Sequence, residues 1–146
     1  MSPESNSITV TCDKKNLRSI RDFVSNSLRE FGIDENMNNM IVLAVDEVCA
    51  NLIIHSNNCN TEETIQLDIK LERQPEGLLF EIFDRGRFFD YETYQEPSLA
   101  EIITKKKKGS IGLMLVRRIM DKIEFSHEST HNVCRLFKKI DNLAVA

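Results

Sequence analysis

A chain of 146 residues with 41% hydrophobic and 29% charged side chains is long enough for one domain with a real core and too short for two. Its 19 basic and 23 acidic residues leave a formal charge of −4, which argues against a phosphate-backbone binder and so against a direct nucleic-acid partner. Apolar stretches stop well short of a membrane span, and no charged-then-apolar signal segment opens the chain, so the expectation is a cytoplasmic protein without a membrane partner.

In chain order, residues 1–6 are polar and read as a disordered tail. Ser7–Cys12 (SITVTC) alternates and is rich in β-branched residues, the pattern of a strand. Asp13 can cap the helix that follows. From Asn16 to Phe31, Leu17, Ile20, Phe23, Val24, Leu28 and Phe31 recur at helical spacing until Gly32 stops the run. Asp34 can cap a second helix reaching about Ser56, and Asn57–Asn60 form a turn-rich break. Thr64–Leu71 and Leu78–Phe83 read as strands joined at Pro75-Glu76-Gly77. An irregular stretch, Arg85–Lys108, precedes a third helix from near Ser110 to about Asp121. Lys122–His127 and Val133–Ile140 close the chain as a second hairpin. Helices bunched between hairpin-linked strands predict one α+β domain, 1–146, as a two-layer sandwich with helices on one face of the sheet.

The four cysteines, Cys12, Cys49, Cys59 and Cys134, show neither C-x-x-C nor a Cys/His metal spacing. Cys12, Cys49 and Cys134 read as small buried hydrophobes, and a reducing cytoplasm fits.

Four features carry chemistry. The second helix is apolar from Ile41 to Ile54 except for Asp46, Glu47 and Asn51. Glu47, Asn51 and His55 lie at i, i+4 and i+8, on one narrow face. A solvated polar face is the bland alternative, but the strip is thin for an ordinary surface helix. Asp84-Arg85-Gly86 ends an apolar strand, where a carboxylate can accept from an exocyclic amine and a glycine lets backbone approach a flat ligand. A plain Asp-x-Gly turn is the alternative there. Residues 87–108 are long for a structureless loop, which suggests a lid, and they end in the cations Lys105–Lys108. Gly109-Ser110-Ile111-Gly112-Leu113 opens the third helix, where exposed N–H groups and the dipole favour an anion. The run fits neither the P-loop nor the Rossmann fingerprint, and the H-R-D and D-F-G signatures are absent. Taken together the four features compose an ATP site. Asn51 offers an oxygen to Mg²⁺, and Glu47 one turn away is placed to take a proton.

At this point the chain resembles the GHKL ATPase/kinase superfamily and, within it, the bacterial anti-sigma factor serine kinases. Leu43–Ser56 (LAVDEVCANLIIHS) is similar to that family's L-A-x-x-E-x-x-x-N-x-x-x-H box. The resemblance implies a GHKL ATP-binding (Bergerat) fold with a mixed sheet covered on one face by helices, and residues 87–108 as the ATP lid. It implies Glu47 as general base, Asn51 as the Mg²⁺ ligand, and His55 beside the nucleotide. Asp84 and Gly86 match the adenine box. Lys108, Gly109, Ser110, Gly112 and Leu113 fall at the second glycine box behind the lid. Phe88 replaces the second glycine of the adenine box, Ser110 stands where a glycine is common, and His131-Asn132 replaces a Gly-Thr pair before the last strand. The implied function is an ATP- and Mg²⁺-dependent serine kinase and anti-sigma factor, a homodimer that sequesters a sigma factor and phosphorylates an anti-anti-sigma antagonist. The alternatives are a nucleotide-responsive binding module without catalysis and a detached catalytic domain acting on histidine.

Overall fold

The computed structural model describes residues 5–11, 13–53, 64–72, 76–84, 108–128 and 131–140. Strand β1 (Ser5–Thr11) starts earlier than the alternation suggested, so Ser5 and Asn6 of the expected tail are paired. The Asn6 amide explains the early start: it donates to Ser27 Oγ at 3.0 Å and to Glu30 at 3.1 Å, tying the strand to the first helix. Asp13 caps a 3-10 turn, Lys14–Asn16, by accepting from the Lys15 N–H at 3.0 Å. The turn runs straight into α1 (Leu17–Glu30), which buries Ile20, Val24 and Leu28 as its spacing required.

Gly32 stops the helix for a physical reason. Its φ of +79° is the left-handed conformation, its N–H bonds the Arg29 carbonyl at 3.0 Å, and Ile33 N–H bonds Leu28 at 3.0 Å. These two bonds are the Schellman pattern, which satisfies carbonyls the helix leaves open. Asp34 then caps α2 (Glu35–Asn51), accepting from Met37 N–H at 2.9 Å.

The remaining elements are β2 (Thr64–Glu72), β3 (Gly77–Asp84), α3 (Lys108–Ile119), β4 (Lys122–Glu128) and β5 (His131–Lys139). The sheet order is β1-β2-β3-β5-β4. The two-layer α+β architecture is as expected, whereas the expected mixed sheet is not: every pairing among the described strands is antiparallel. Strand order supplies the reason. Among the described residues two helices, rather than one, lie between β1 and β2, which pair antiparallel. Among the described residues one helix lies between β3 and β4; these two strands do not pair, because β5 inserts between them.

Alternation assigns the two faces of the sheet. Leu78, Phe80 and Ile82 of β3 and Cys134 and Leu136 of β5 are buried in one cluster with α1, α2 and α3. Asp84 and Asn132 continue those inward positions to the strand ends. At the opposite end of β3, Gly77 has φ +147° and faces the Lys138 carbonyl so closely that a Cβ there would collide with it. Lys138 Nζ in turn donates to the Ile119 carbonyl at 2.8 Å, closing the C-terminus of α3.

Candidate functional site

Helix α2 presents Glu47 and Asn51 one turn apart. Glu47 is half-buried, and its carboxyl is held above the usual carboxylate range, first by burial and then by the neighbouring charge of Asp46. Asp46 itself points toward α1, where Arg21 Nη1 donates to it at 3.1 Å. Asn51 is only 9% exposed, and its Nδ2 donates to the Glu47 carbonyl at 2.9 Å. That bond turns the carboxamide so that Oδ1 is the end left to meet a cation. Among the described residues nothing donates to this oxygen. After Asn51 the helix widens into a π-type turn at Leu52–Ile53, a distortion frequent at functional sites. His55 lies outside the described residues.

The second group sits at the end of β3. Asp84 is 1% exposed and stands opposite Asn132 of β5, whose Nδ2 donates to Asp84 Oδ1 at 3.1 Å. Two residues further along β5, the Cys134 thiol is pushed well up, mainly by burial, then by the fields of Cys49 on α2 and Asp84 on β3. This buried thiol thus feels both the inner side of α2 and the strand-end carboxylate. Cys49 and Cys134 are buried as expected, while Cys12 and Cys59 lie outside the described residues. So does Gly86.

The third group is the start of α3. The helix begins at Lys108, earlier than the expected Ser110, so Lys108, Gly109, Ser110, Gly112 and Leu113 all belong to its first turns. The first turn carries no acidic side chain to offset the positive end of the dipole. The expected lid lies outside the described residues apart from Lys108.

The Asn132–Asp84 bond is the feature that motif reading passed over. Its signal lay in strand phase: Asp84 follows Leu78, Phe80 and Ile82 at inward positions, and Asn132 precedes Cys134 and Leu136 at inward positions. A groove of about 450 Å³ is lined by the outward-phase residues Leu79, Phe137, Arg135, Glu124 and Lys122 and by none of these groups. Within its lining Arg135 donates to Glu81 at 2.9 Å across β3 and β5. Among the described residues no helix is long and apolar enough to cross a membrane, and no cluster of three His, Cys, Asp or Glu side chains is placed for a metal.

Helices on one face of an antiparallel sheet, with acid and amide groups turned inward at one end, define a two-layer α+β domain that solved structures share. One match is the structure of the RsbU and RsbW domains of a Mycobacterium tuberculosis protein, with TM-score 0.67 and 17% identity over 94% of this chain and 32% of that one. Another is the histidine kinase domain of a blue-light activated histidine kinase from Erythrobacter litoralis, with TM-score 0.56 and 16% identity over 95% of this chain and 65% of that one. The chain thus spans about a third of the first structure's length. At these identities the likeness is one of fold. The sequence goes further, because a profile of the histidine kinase-like ATPase domain matches residues 10–138. The chain belongs to that family. It is also 26% identical over 132 residues to Serine-protein kinase RsbW of Halalkalibacterium halodurans, covering 87% of this chain and 78% of that protein.

Proposed function

We propose that this protein is an ATP-dependent serine protein kinase and anti-sigma factor, which sequesters a sigma factor and phosphorylates a serine of an anti-anti-sigma antagonist. One observation carries the reading. On a helix that packs one face into the core, a carboxyl with raised proton affinity stands one turn before a carboxamide whose oxygen is uncommitted among the described residues. The similarity to Serine-protein kinase RsbW over most of both chains supports it.

The residues fit Mg-ATP by donor chemistry. Asn51 Oδ1 is a hard oxygen of the kind Mg²⁺ accepts. Asp84 and Gly86 would hold the adenine, with Asp84 accepting from its exocyclic amine. Lys108, Gly109, Ser110, Gly112 and Leu113 would hold phosphates at the N-terminal end of α3, and His55 would follow Asn51 along the strip. When bound, Mg-ATP supplies the phosphoryl group and the cation that neutralises its charge. Glu47 takes the proton from the acceptor hydroxyl, and its raised proton affinity makes the ionised form a stronger base. On the antagonist the new phosphate, carrying about −1.5 to −2 charges, repels a surface held near carboxylates and releases it. We place the protein in the cytoplasm as a homodimer.

Phe88, standing where the family carries a glycine, favours one second reading: a nucleotide-responsive module that binds partners without catalysis. The test is incubation of the purified chain with labelled ATP and a candidate anti-anti-sigma antagonist. Acid-stable label on an antagonist serine, lost in Glu47→Ala while nucleotide binding persists, is expected. Mg-ATP binding without transfer selects the second reading, and no ATP binding overturns both.

A further inference from the structure

Helices α1 and α2 treat their solvent-facing positions differently. The exposed residues of α1 are all polar: Arg18, Ser19, Asp22, Asn26, Arg29 and Glu30. Helix α2 begins the same way, with Glu35, Asn36 and Asn39 exposed, and then changes. Its next two exposed positions are Met40 and Leu43, 43% and 41% exposed. The core takes Ile41, Ala44, Val45, Val48 and Cys49 from the other side of the helix, and neither Met40 nor Leu43 belongs to that cluster. Among the described residues the only other large apolar side chain so exposed is Leu115 of α3. Position gives the pair its meaning. At about 100° per residue, Met40, Leu43 and Glu47 fall within about 60° of one another around the helix. Leu43 sits about 6 Å and Met40 about 10 Å from Glu47 along the helix axis. A lone exposed hydrophobe needs no explanation, but two on one stripe, on the two turns that lead to the proposed base, do.

We propose that Met40 and Leu43 form an apolar docking step for the protein acceptor, receiving an apolar surface that flanks its acceptor serine. The inference rests on the kinase reading of Glu47 and names the contact by which that site would hold its protein substrate. A serine hydroxyl carried by a folded protein reaches Glu47 only when the surface of that protein lies over this part of α2. A specific protein contact covers about 800 Å² on each partner, equivalent to a disc of about 16 Å radius. Both side chains therefore lie inside the footprint of an acceptor centred on Glu47. Neither carries a charge or a strong hydrogen-bonding group, so neither suits a phosphate or a metal ion. What they fit is another apolar surface, and covering them removes apolar area that the fold alone leaves in water.

The experiment measures phosphoryl transfer to a candidate anti-anti-sigma antagonist and, separately, binding of that antagonist with its acceptor serine replaced by alanine. The parent is compared with Met40→Gln, Leu43→Gln, the double glutamine variant and the apolar swap Met40→Leu with Leu43→Met. Tm, ATP affinity and sedimentation are recorded for each. Glutamine keeps the length and helix preference of both residues, so Tm should stay parental at these exposed positions. The double glutamine variant should raise KM for the antagonist by about tenfold or more, and each single variant by about threefold. Its kcat at saturating antagonist and its ATP affinity should stay parental. Binding of the alanine antagonist should weaken by the same factor, and the apolar swap should restore the parental KM. Parental KM and binding in the double glutamine variant overturn the inference and leave the kinase reading standing. Loss of ATP affinity in that variant assigns the two side chains to the nucleotide side, and altered sedimentation assigns them to a second copy; either overturns the inference. Binding without any transfer in the parent overturns the kinase reading instead, and a weakened double variant then still upholds the docking face. A parent that neither binds nor phosphorylates the antagonist overturns both.

Discussion

Helix α2 buries two asparagines 13 positions apart, and they are wired differently. Asn38 is fully buried, and both ends of its carboxamide are used inside the protein: Nδ2 donates to the Ser25 carbonyl at 3.0 Å, and Oδ1 accepts from Ser25 Oγ at 3.1 Å. Asn51, 9% exposed, commits only Nδ2 among the described residues, to its own helix. The first closes the seam between α1 and α2. The second keeps an acceptor that no described residue uses. A buried polar group that is complete within the fold explains itself by stability, whereas one left half-used among the described residues points toward a ligand.

The sharpest way to test this contrast is through the neighbour of the half-used group. Replacing Glu47 by alanine is expected to lower phosphoryl transfer by about 10²–10⁴, the range for losing a general base. Nucleotide affinity and Tm should stay near the parental values, because Glu47 is half-buried and makes no cross-element bond in the α1–α2 seam. Loss of folding in Glu47→Ala would assign it to the scaffold and remove the contrast. Next in size is Asn38→Ala, which removes the two bonds Asn38 makes to the Ser25 carbonyl and hydroxyl. It should cost about 1–3 kcal/mol, with Tm lower by about 2–4 °C for each of those, and unchanged nucleotide affinity. A smaller effect is expected on the stability of Asn51→Ala. The lost bond is worth about 1 kcal/mol, and alanine's helix preference over asparagine returns about 0.5–0.7 of it. What should vanish is the Mg²⁺-dependent part of nucleotide affinity, measured by titration with and without the metal. If instead Asn51→Ala unfolds the chain while binding survives in Asn38→Ala and Asn51→Ala alike, the two asparagines are equivalent.

How much of this was legible in the sequence depends on how local each feature is. The caps Asp13 and Asp34, the stop at Gly32 and the inward phase of β3 all depend on residues a few positions apart, and each is visible in the chain. The role of Asn38 was not visible. Asn36, Asn38 and Asn39 are chemically identical on the page, and only the arrival of Ser25 from α1 singles one out. The all-antiparallel sheet was missed for the same reason, since β5 inserts between two strands that precede it in the chain. Within the site, the Glu47–Asn51 spacing is local and was read directly. The Asp84–Asn132 bond joins residues 48 apart, so its discovery needed the register of β3 on β5.

The smallest effect separates the two regions by sign. Scaffold polar groups stabilise the fold, so replacing them lowers Tm. Glu47 should do the opposite at neutral pH. Burial and the Asp46 charge raise its carboxyl above the ordinary value of 4.5, so the folded state favours the protonated form. Its contribution to stability is therefore fully present below that ordinary value and is lost as pH rises through the raised one. At pH 7 the parent carries the whole penalty of a partly desolvated charge beside another acid. Glu47→Gln keeps the shape and removes that charge, so it should melt higher than the parent at pH 7, by about 1 °C after solvent screening is allowed for. The gap should close as pH is lowered toward 4.5, and both proteins should then melt together. Arg21, bonded to Asp46 at 3.1 Å, sets the size of the effect: Arg21→Gln strips the counter-charge from Asp46 and should widen the gap at pH 7. Thermal melts of the four combinations across pH would settle it, and a Glu47→Gln protein less stable than its parent at pH 7 would place Glu47 among the scaffold groups with Asn38.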